Sequence, residues 1–299
     1  MADRLMAEGL TFRQGDLRDP AAWASVASLL ADIFGIDVTP LDQMGGPDPS
    51  SMAFSWFAAD GQLAANLSAF ALPMMIDGRT VNAAGLQSGA VRPEFRTRGL
   101  FRDVTEKALD WCDAQGFEAV LLYTEKPALY EQHGFAILPQ SRFVAEATTT
   151  GQTTPQVHPL NLRKSDDLTL VTKMLATRKP VSGRFAVARQ NEMFLLNALL
   201  SENVRLGYLK PHDAIIVWRD AMDGSFELLD IVAPEIPRLD DILETLGKSL
   251  SRLVIDFPPD LLGCDFTATP DNDPLVLMMR SALVPFPEAA IRLPEMAHF

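Results

Sequence analysis

The stretch VRPEFRTRGLFRDVTEKALDWCDAQG, residues 91–116 of 299, constrains the fold more than any other. An extended apolar run stops at Val91-Arg92-Pro93. A helix follows almost at once, with Leu100, Phe101, Val104, Ala108, Trp111 and Cys112 on one face. The buried run AVLLY at 119–123 then supplies a second strand. Strand, tight turn, helix and strand make a crossover, so the chain reads as α/β with a mixed sheet.

The turn gathers Arg92, Arg96 and Arg98 beside Gly99 in a chain of formal net charge −13. The first N–H groups of a helix have no carbonyl one turn before them, and the helix dipole places positive charge there. A strand-to-helix turn with glycine and arginine is therefore a candidate anion site, with Arg96 and Arg98 adding charge for a phosphate. A solvated basic turn is the alternative reading of these residues alone. There is no Gly-Lys-Ser/Thr of a P-loop and no three-glycine dinucleotide fingerprint.

Along the chain, a short strand at Leu10–Arg13 precedes a helix with Asp19 as N-cap and Pro20 in its first turn. Extended segments follow at 52–59, 62–75 and 80–91, with Asp60-Gly61 and Asp77-Gly78 as hairpin turns. After the crossover come a short helix in PALYEQ and closing strands in FAIL and RFVAEA. The polar, turn-rich region around 149–158 reads as a linker. Beyond it, NLRKSD at 161–166 echoes TFRQGD at 11–16, and IVAPE at 231–235 echoes AVRPE at 90–94. Their order suggests a duplicated domain: residues 1–148, a linker at 149–158, and residues 159–299.

LYEQHGF at 129–135 adds a second motif at the spacing of a short crossover. Strand, Arg-x-x-Gly turn, helix, strand and Tyr-x-x-x-Gly-Phe together resemble the GCN5-related N-acetyltransferase (GNAT) superfamily, over roughly residues 10 to 148. The resemblance implies two tandem acyl-CoA N-acyltransferase folds, the first of them active. It implies that Arg96, Thr97, Arg98, Gly99, Leu100 and Phe101 bind the pyrophosphate of acetyl-coenzyme A. Ala90 and Val91 would pair by main chain with the pantetheine arm, and Tyr130 would protonate the departing thiolate. Phe101 stands where the family usually has Gly or Ala. That bulk, with the spacing LLYTEKPALYEQHGF, looks most like the Eis-type amine acetyltransferases, whose first two domains the resemblance covers. Those enzymes resemble a design in which a terminal carboxylate accepts the amine's proton, which would make Phe299 the second catalytic residue. Glu125, just past the strand, is the alternative acceptor, and water another.

The chemistry needs a donor for the thiolate and polarisation of the thioester carbonyl, for which a main-chain N–H near Val91 is a candidate. No cysteine lies near Tyr130 in sequence, so direct transfer in a ternary complex is expected. The acceptor is expected to be a primary amine of a small molecule or peptide, and the acidic balance loosely fits a cationic one. The second domain is expected to lack cofactor chemistry. Its helix begins IPRLDDILETL, without a turn glycine and with Asp240 and Asp241 at its start, and no tyrosine follows at the corresponding place. It would then wall the acceptor side or form an oligomer surface, and the Eis likeness favours an assembly.

The acidic composition speaks against nucleic-acid binding. No apolar run suits a membrane span or signal peptide, so a cytoplasmic protein is expected. Cys112 and Cys264 read as core thiols, and the four scattered histidines give no metal site. GLQSGA at 85–90 is not a nucleophile elbow, because Ser88 is off-centre. The rival function is a non-catalytic module that binds coenzyme A, or a protein-interaction scaffold, on a GNAT fold.

Overall fold

The computed structural model describes residues 8–146, 155–220, 225–247, 250 and 252–299. Its first part contains β1 (Leu10–Asp16), α1 (Pro20–Phe34), β2 (Met52–Ala58), β3 (Leu63–Ala71), β4 (Met74–Ile76), β5 (Arg79–Val81) and β6 (Ala83–Val91). Then come α2 (Leu100–Ala114), β7 (Ala119–Thr124), α3 (Ala128–Glu131), β8 (Ala136–Leu138) and β9 (Ser141–Glu146). The second part runs β10 (Val157–Leu160), α4 (Ser165–Leu175), β11 (Phe185–Val187), α5 (Glu192–Leu200), β12 (Val204–Leu209) and β13 (Ala214–Asp220). It continues with β14 (Phe226–Val232), α6 (Leu239–Leu246), β15 (Arg252–Ile255), β16 (Thr267–Pro270) and β17 (Val276–Arg280).

Local chemistry accounts for the element ends. The Asp19 carboxylate accepts from the Ala21 N–H at 3.1 Å, and Pro20 occupies the first helical turn of α1. Gly35, left-handed at φ 68°, ends that helix with its N–H on the Ala31 carbonyl. Asp77 and Gly78, both at positive φ, make the tight β4–β5 turn. Pro73 falls where the expected strand 62–75 divides into β3 and β4, since proline cannot donate to the ladder.

The strands form two large sheets, β1-β2-β3-β6-β7-β17-β8 and β10-β12-β13-β14-β15-β9-β16, and a small one, β11-β4-β5. Each large sheet has an antiparallel meander followed by a parallel step, β6 to β7 across α2 and β14 to β15 across α6. This common plan is the structural counterpart of the sequence echo. The helix α2 presses Leu100, Val104, Ala108 and Cys112 onto Phe54, Ala65, Leu67, Leu86 and Leu122. Opposite that face, Phe70, Ala83, Leu121 and Met279 pack with Phe185 and Leu293 from the second part of the chain. Sheet strands covered on both faces read as continuous apolar runs, which is why LAANLSAFA is buried along nearly its whole length.

Two strands sit where local sequence gives no hint of them. β17 inserts between β7 and β8, pairing antiparallel with Tyr123 through Leu277 and with Leu138 through the same residue. RFVAEA, read as closing the first sheet, instead pairs as β9 with β15 and β16 of the second. Met278 of β17 is fully buried in the α2 core, where truncation to alanine costs ~2–5 kcal/mol. Of the expected linker, residues 149–154 lie outside the described residues, and Val157 and His158 begin β10.

After β17 the chain crosses back as a tail. Arg292 is buried between the carboxylates of Asp256 and Asp271. The Glu295 N–H donates to Asp256 at 2.8 Å, and Arg219 donates to the Glu295 carboxylate at 2.7 Å. Asn197 Nδ2 donates to the carbonyls of Glu295 and His298. These bonds lay the His298 ring 4.5 Å from that of Tyr123, centroid to centroid, and set Phe299 edge-on to Phe70 and Tyr123.

Two expectations follow. Residues 8–146 expressed alone lack β17, and residues 155–299 alone lack β9, so neither half should give a monodisperse, cooperatively melting species. Co-expression should recover a complex, and a half that folds by itself would contradict the exchange. For His298, burial foremost and the Arg292 charge next push the pKa down to about 4, with Glu295 and Asp273 opposing. The folded state thus binds fewer protons than the unfolded chain, whose histidine titrates near ~6.5. Stability is full above that value and is lost as pH falls towards 4. His298→Gln should flatten the slope of unfolding free energy over this window by roughly 1–3 kcal/mol, measured by urea titration at each pH.

Candidate active site

The site is built where two parallel strands part. Pairing between β6 and β7 runs from Ala83↔Ala119 to Leu86↔Leu122 and stops, while β6 continues to Val91. Along the other edge, β6 stays bonded to β3 through an irregularity. Gln87 faces Ser68 and Ala90 faces Asn66, so Ser88 and Gly89 together stand opposite Leu67. This is a β-bulge, with Ser88 in the left-handed region at φ 58°. Beyond Leu86, residues 87–91 present a main-chain edge that β7 leaves open. Ala90 and Val91, expected to meet the pantetheine arm, lie on it.

The turn that follows is a 3₁₀ segment, Pro93–Phe95, then Arg96, Thr97 at φ 65° and Gly99 at φ 79°. Gly99 is the N-cap of α2 and offers no side-chain oxygen. The first intrahelical bond is Asp103 N–H to Gly99 carbonyl at 3.1 Å, so the N–H groups of Leu100 and Phe101 fall in the unpaired first turn. Asp103, the acid in that turn, accepts from the Trp56 indole at 2.7 Å and lies 3.1 Å from Lys107, which offsets its charge.

The three arginines have different tasks. Arg92 is a strut, with Nη2 on Asp32 of α1 at 2.7 Å and Nε on the Leu63 carbonyl at 2.9 Å. Arg98 donates to the Glu8 carbonyl at 2.6 Å, which ties the turn to the segment before β1. Arg96 folds back over the end of β6, its Nε 3.2 Å from the Val91 carbonyl.

Tyr130, on α3, is buried against α2 and the sheet. Its ring meets Phe101 edge-on at 5.6 Å and Phe135 at 5.8 Å. Its hydroxyl reaches the bulge: a Cβ at Gly89 would stand 3.3 Å from that oxygen and 2.9 Å from Leu67 Cδ1. Phe101 thus turns its ring into the packing around Tyr130, which leaves the main chain at its position to the helix terminus. Burial pushes the Tyr130 phenol up to about 12, so it is protonated across the neutral range.

Phe299 approaches from the opposite face of the sheet. A Cβ at Gly85 would lie 3.1 Å from the Phe299 ring and 2.5 Å from that of Phe70. Gly85 and Gly89 therefore make room for aromatic residues beside β6, Phe70 and Phe299 at the first and Tyr130 and Phe101 at the second. Asn66 is a further residue whose place in the site was not read from sequence, and the strut role of Arg92 needed the fold to appear. Glu125 is exposed beyond the end of β7.

The corresponding place in the second sheet is occupied by the protein itself. Pairing of β14 with β15 runs to Leu228↔Ile255. Just beyond, the buried Arg178 guanidinium donates to both Asp230 oxygens and to the Ile231 carbonyl. The Leu262 carbonyl accepts the first N–H of α6, and Asp240 and Asp241 lie in its first turn. Among the described residues no group of three or more His, Cys, Asp or Glu could hold a metal ion, and no helix is long and apolar enough to cross a membrane.

Residues 19–138 match the family described as Acetyltransferase (GNAT) domain. No curated protein matches the chain. Among solved structures, a GCN5-related N-acetyltransferase from Kribbella flavida aligns with a TM-score of 0.54 and 16% identity over 92% of this chain and 72% of its own. A probable N-acyltransferase from Enterococcus faecalis gives 0.58 and 14% over 91% and 72%. Eis1 from Mycobacterium abscessus gives 0.57 and 14% over 91% and 73%. At these identities the three likenesses speak for the fold, which extends over both large sheets. The family match falls on the parted strands, the glycine turn and Tyr130, so residues 19–138 are similar to a GNAT acetyltransferase domain.

Proposed function

We propose that the chain transfers an acetyl group from acetyl-coenzyme A directly to a primary amine of a small molecule or peptide, at one site in its first domain. One observation carries the reading. A protonated phenol lies beside the glycine of the β6 bulge, near the point where β7 departs, and the same strand leads into a helix terminus with no side-chain cap. A thioester, a pantetheine arm and a diphosphate need those three features in that order. The residues present fit such a ligand: Gly89 has no side chain between Tyr130 and the strand edge, and Phe101 keeps its ring out of the turn.

In this reading residues 96–101 hold the pyrophosphate through main-chain donors and the dipole of α2, with Arg96 and Arg98 adding positive charge. Ala90 and Val91 pair with the amide-bearing arm along the open edge. The acetyl thioester supplies the activated acyl group. As the amine nitrogen bonds to the carbonyl carbon and the carbon–sulfur bond breaks, Tyr130 gives its proton to the sulfur and the nitrogen loses one. That second proton goes to the Phe299 carboxylate, to Glu125 or to water. Cys112 takes no covalent part, because burial holds its thiol up at about 12. The domain division at 149–158, with a second domain that binds no cofactor, is part of the same proposal. Its support is the Arg178–Asp230 pair and the Leu262 cap at the equivalent place.

Calorimetry should find one acetyl-coenzyme A site per chain. Tyr130→Phe should lower kcat ~10²–10⁴-fold while changing cofactor affinity less than about twofold. With its pKa near 12, Tyr130 should cause no alkaline loss of kcat below roughly pH 11. Absence of binding at millimolar cofactor would remove the reading. Tight binding with no acetylation of any amine in a broad screen would favour the non-catalytic module.

A further inference from the structure

We propose that Asn66 is the positioning residue of this site, its buried carboxamide holding open the gap between β6 and β7. The side chain is wholly buried within the sheet, between Ser55 of β2 and the bulge of β6. The Ser55 hydroxyl donates to Asn66 Oδ1 at 2.8 Å, which leaves Nδ2 to face the other way. Nδ2 donates to the Ser88 carbonyl at 3.0 Å and to Ser68 Oγ at 3.1 Å. Ser55 and Ser68 are themselves buried, so each polar atom of the carboxamide is satisfied inside the protein.

The bond to Ser88 is the one with a consequence for the site. Ser88 holds φ 58°, a conformation that side chains other than glycine, asparagine and aspartate seldom adopt. Left alone, a serine would relax towards the extended region, and β6 would run on straight beside β7 past Leu86. The grip on the Ser88 carbonyl fixes the orientation of the peptide plane that joins Ser88 to Gly89, because that plane is rigid. It therefore fixes the extra residue in the strand, the point at which β6 leaves β7, and the stretch of Gly89 that Tyr130 approaches. Asparagine suits this position because one end accepts from Ser55 while the other donates twice. An apolar residue of its size would fill the space and hold nothing.

The inference rests on the proposed acetyltransferase site for its meaning in turnover, and on the bulge alone for its structure. The test therefore reads both, in the full-length chain, for Asn66→Leu, Ser88→Gly and the double variant. Asn66→Leu should raise amide hydrogen exchange in residues 87–91 at least tenfold while α2 is unchanged. It should lower kcat at saturating acetyl-coenzyme A by about tenfold or more, with the KM for the amine within twofold. Glycine takes positive φ freely, so adding Ser88→Gly should restore most of the lost turnover and protection. Where Asn66→Leu fails to fold, Ser55→Ala, which frees the carboxamide to turn, should give the same pattern at smaller amplitude. Unchanged exchange at 87–91 would overturn the proposal, as would a kcat loss that follows melting temperature and is not recovered by the glycine. Should the wild-type chain bind no acetyl-coenzyme A, the exchange readout still decides the role of Asn66.

Discussion

A parallel strand pair that stops pairing halfway is the constraint on which the rest of this molecule depends. From Leu86 onward one edge of β6 carries N–H and C=O groups with no strand among the described residues beside them. Buried polar groups left unmatched cost about 1–3 kcal/mol each, so such an edge persists only where water or a ligand can reach it. The bulge at Ser88-Gly89, the strut from Arg92 to Asp32 and the insertion of β17 on the far side of β7 all serve to keep that edge apart. Each draws on a different part of the chain. An opening of this kind is thus a property of the whole fold, although a motif of six residues marks its mouth.

The second sheet has the same kind of parallel step, with side chains of the protein lying at its end. That step is one pair shorter, and beyond it Arg178 meets the Ile231 carbonyl and, through Nη1 and Nη2, the Asp230 carboxylate. Both residues are buried, and an ion pair in that position replaces the donors and acceptors that a bound molecule would bring. The helix that follows is capped by a carbonyl and carries acids in its first turn, which repels a diphosphate. The two halves therefore differ less in topology than in who satisfies the parted strands.

What could be read from the sequence follows the range of the interactions. The glycine turn, the amphipathic face of α2, the N-cap at Asp19 and the position of Tyr130 are set within a few residues, and each was legible. Strand partnership is not local. Nothing in RFVAEA says that its hydrogen bonds go to Leu253 and Thr267, and nothing in VLMMR says that it will separate two strands over a hundred residues upstream. Charge and spacing mark Arg98 as a candidate phosphate ligand, and its bond to the Glu8 carbonyl needed the fold to appear. Asn66 was legible only as a polar break in an apolar run. Its meaning came from Ser88, which is distant in sequence and adjacent across the sheet.

The tail poses the complementary problem of holding a segment with little regular structure against a sheet. Ile291, Leu293 and Met296 are buried in the cores, and polar bonds fix the register: Arg292 between Asp256 and Asp271, Glu295 on Arg219, Asn197 Nδ2 on the His298 carbonyl and the Leu293 N–H on Gln140 Oε1. A buried pair of this kind gains little net stability over an apolar equivalent, but breaking it leaves an uncompensated charge and costs about 3–5 kcal/mol. Wrong registers of the tail are therefore penalised steeply, while a slipped apolar segment would lose only a few contacts. The ring of Phe299 needs that selectivity. It enters beside Gly85, where an added carbon would collide with Phe70 and crowd the Phe299 ring.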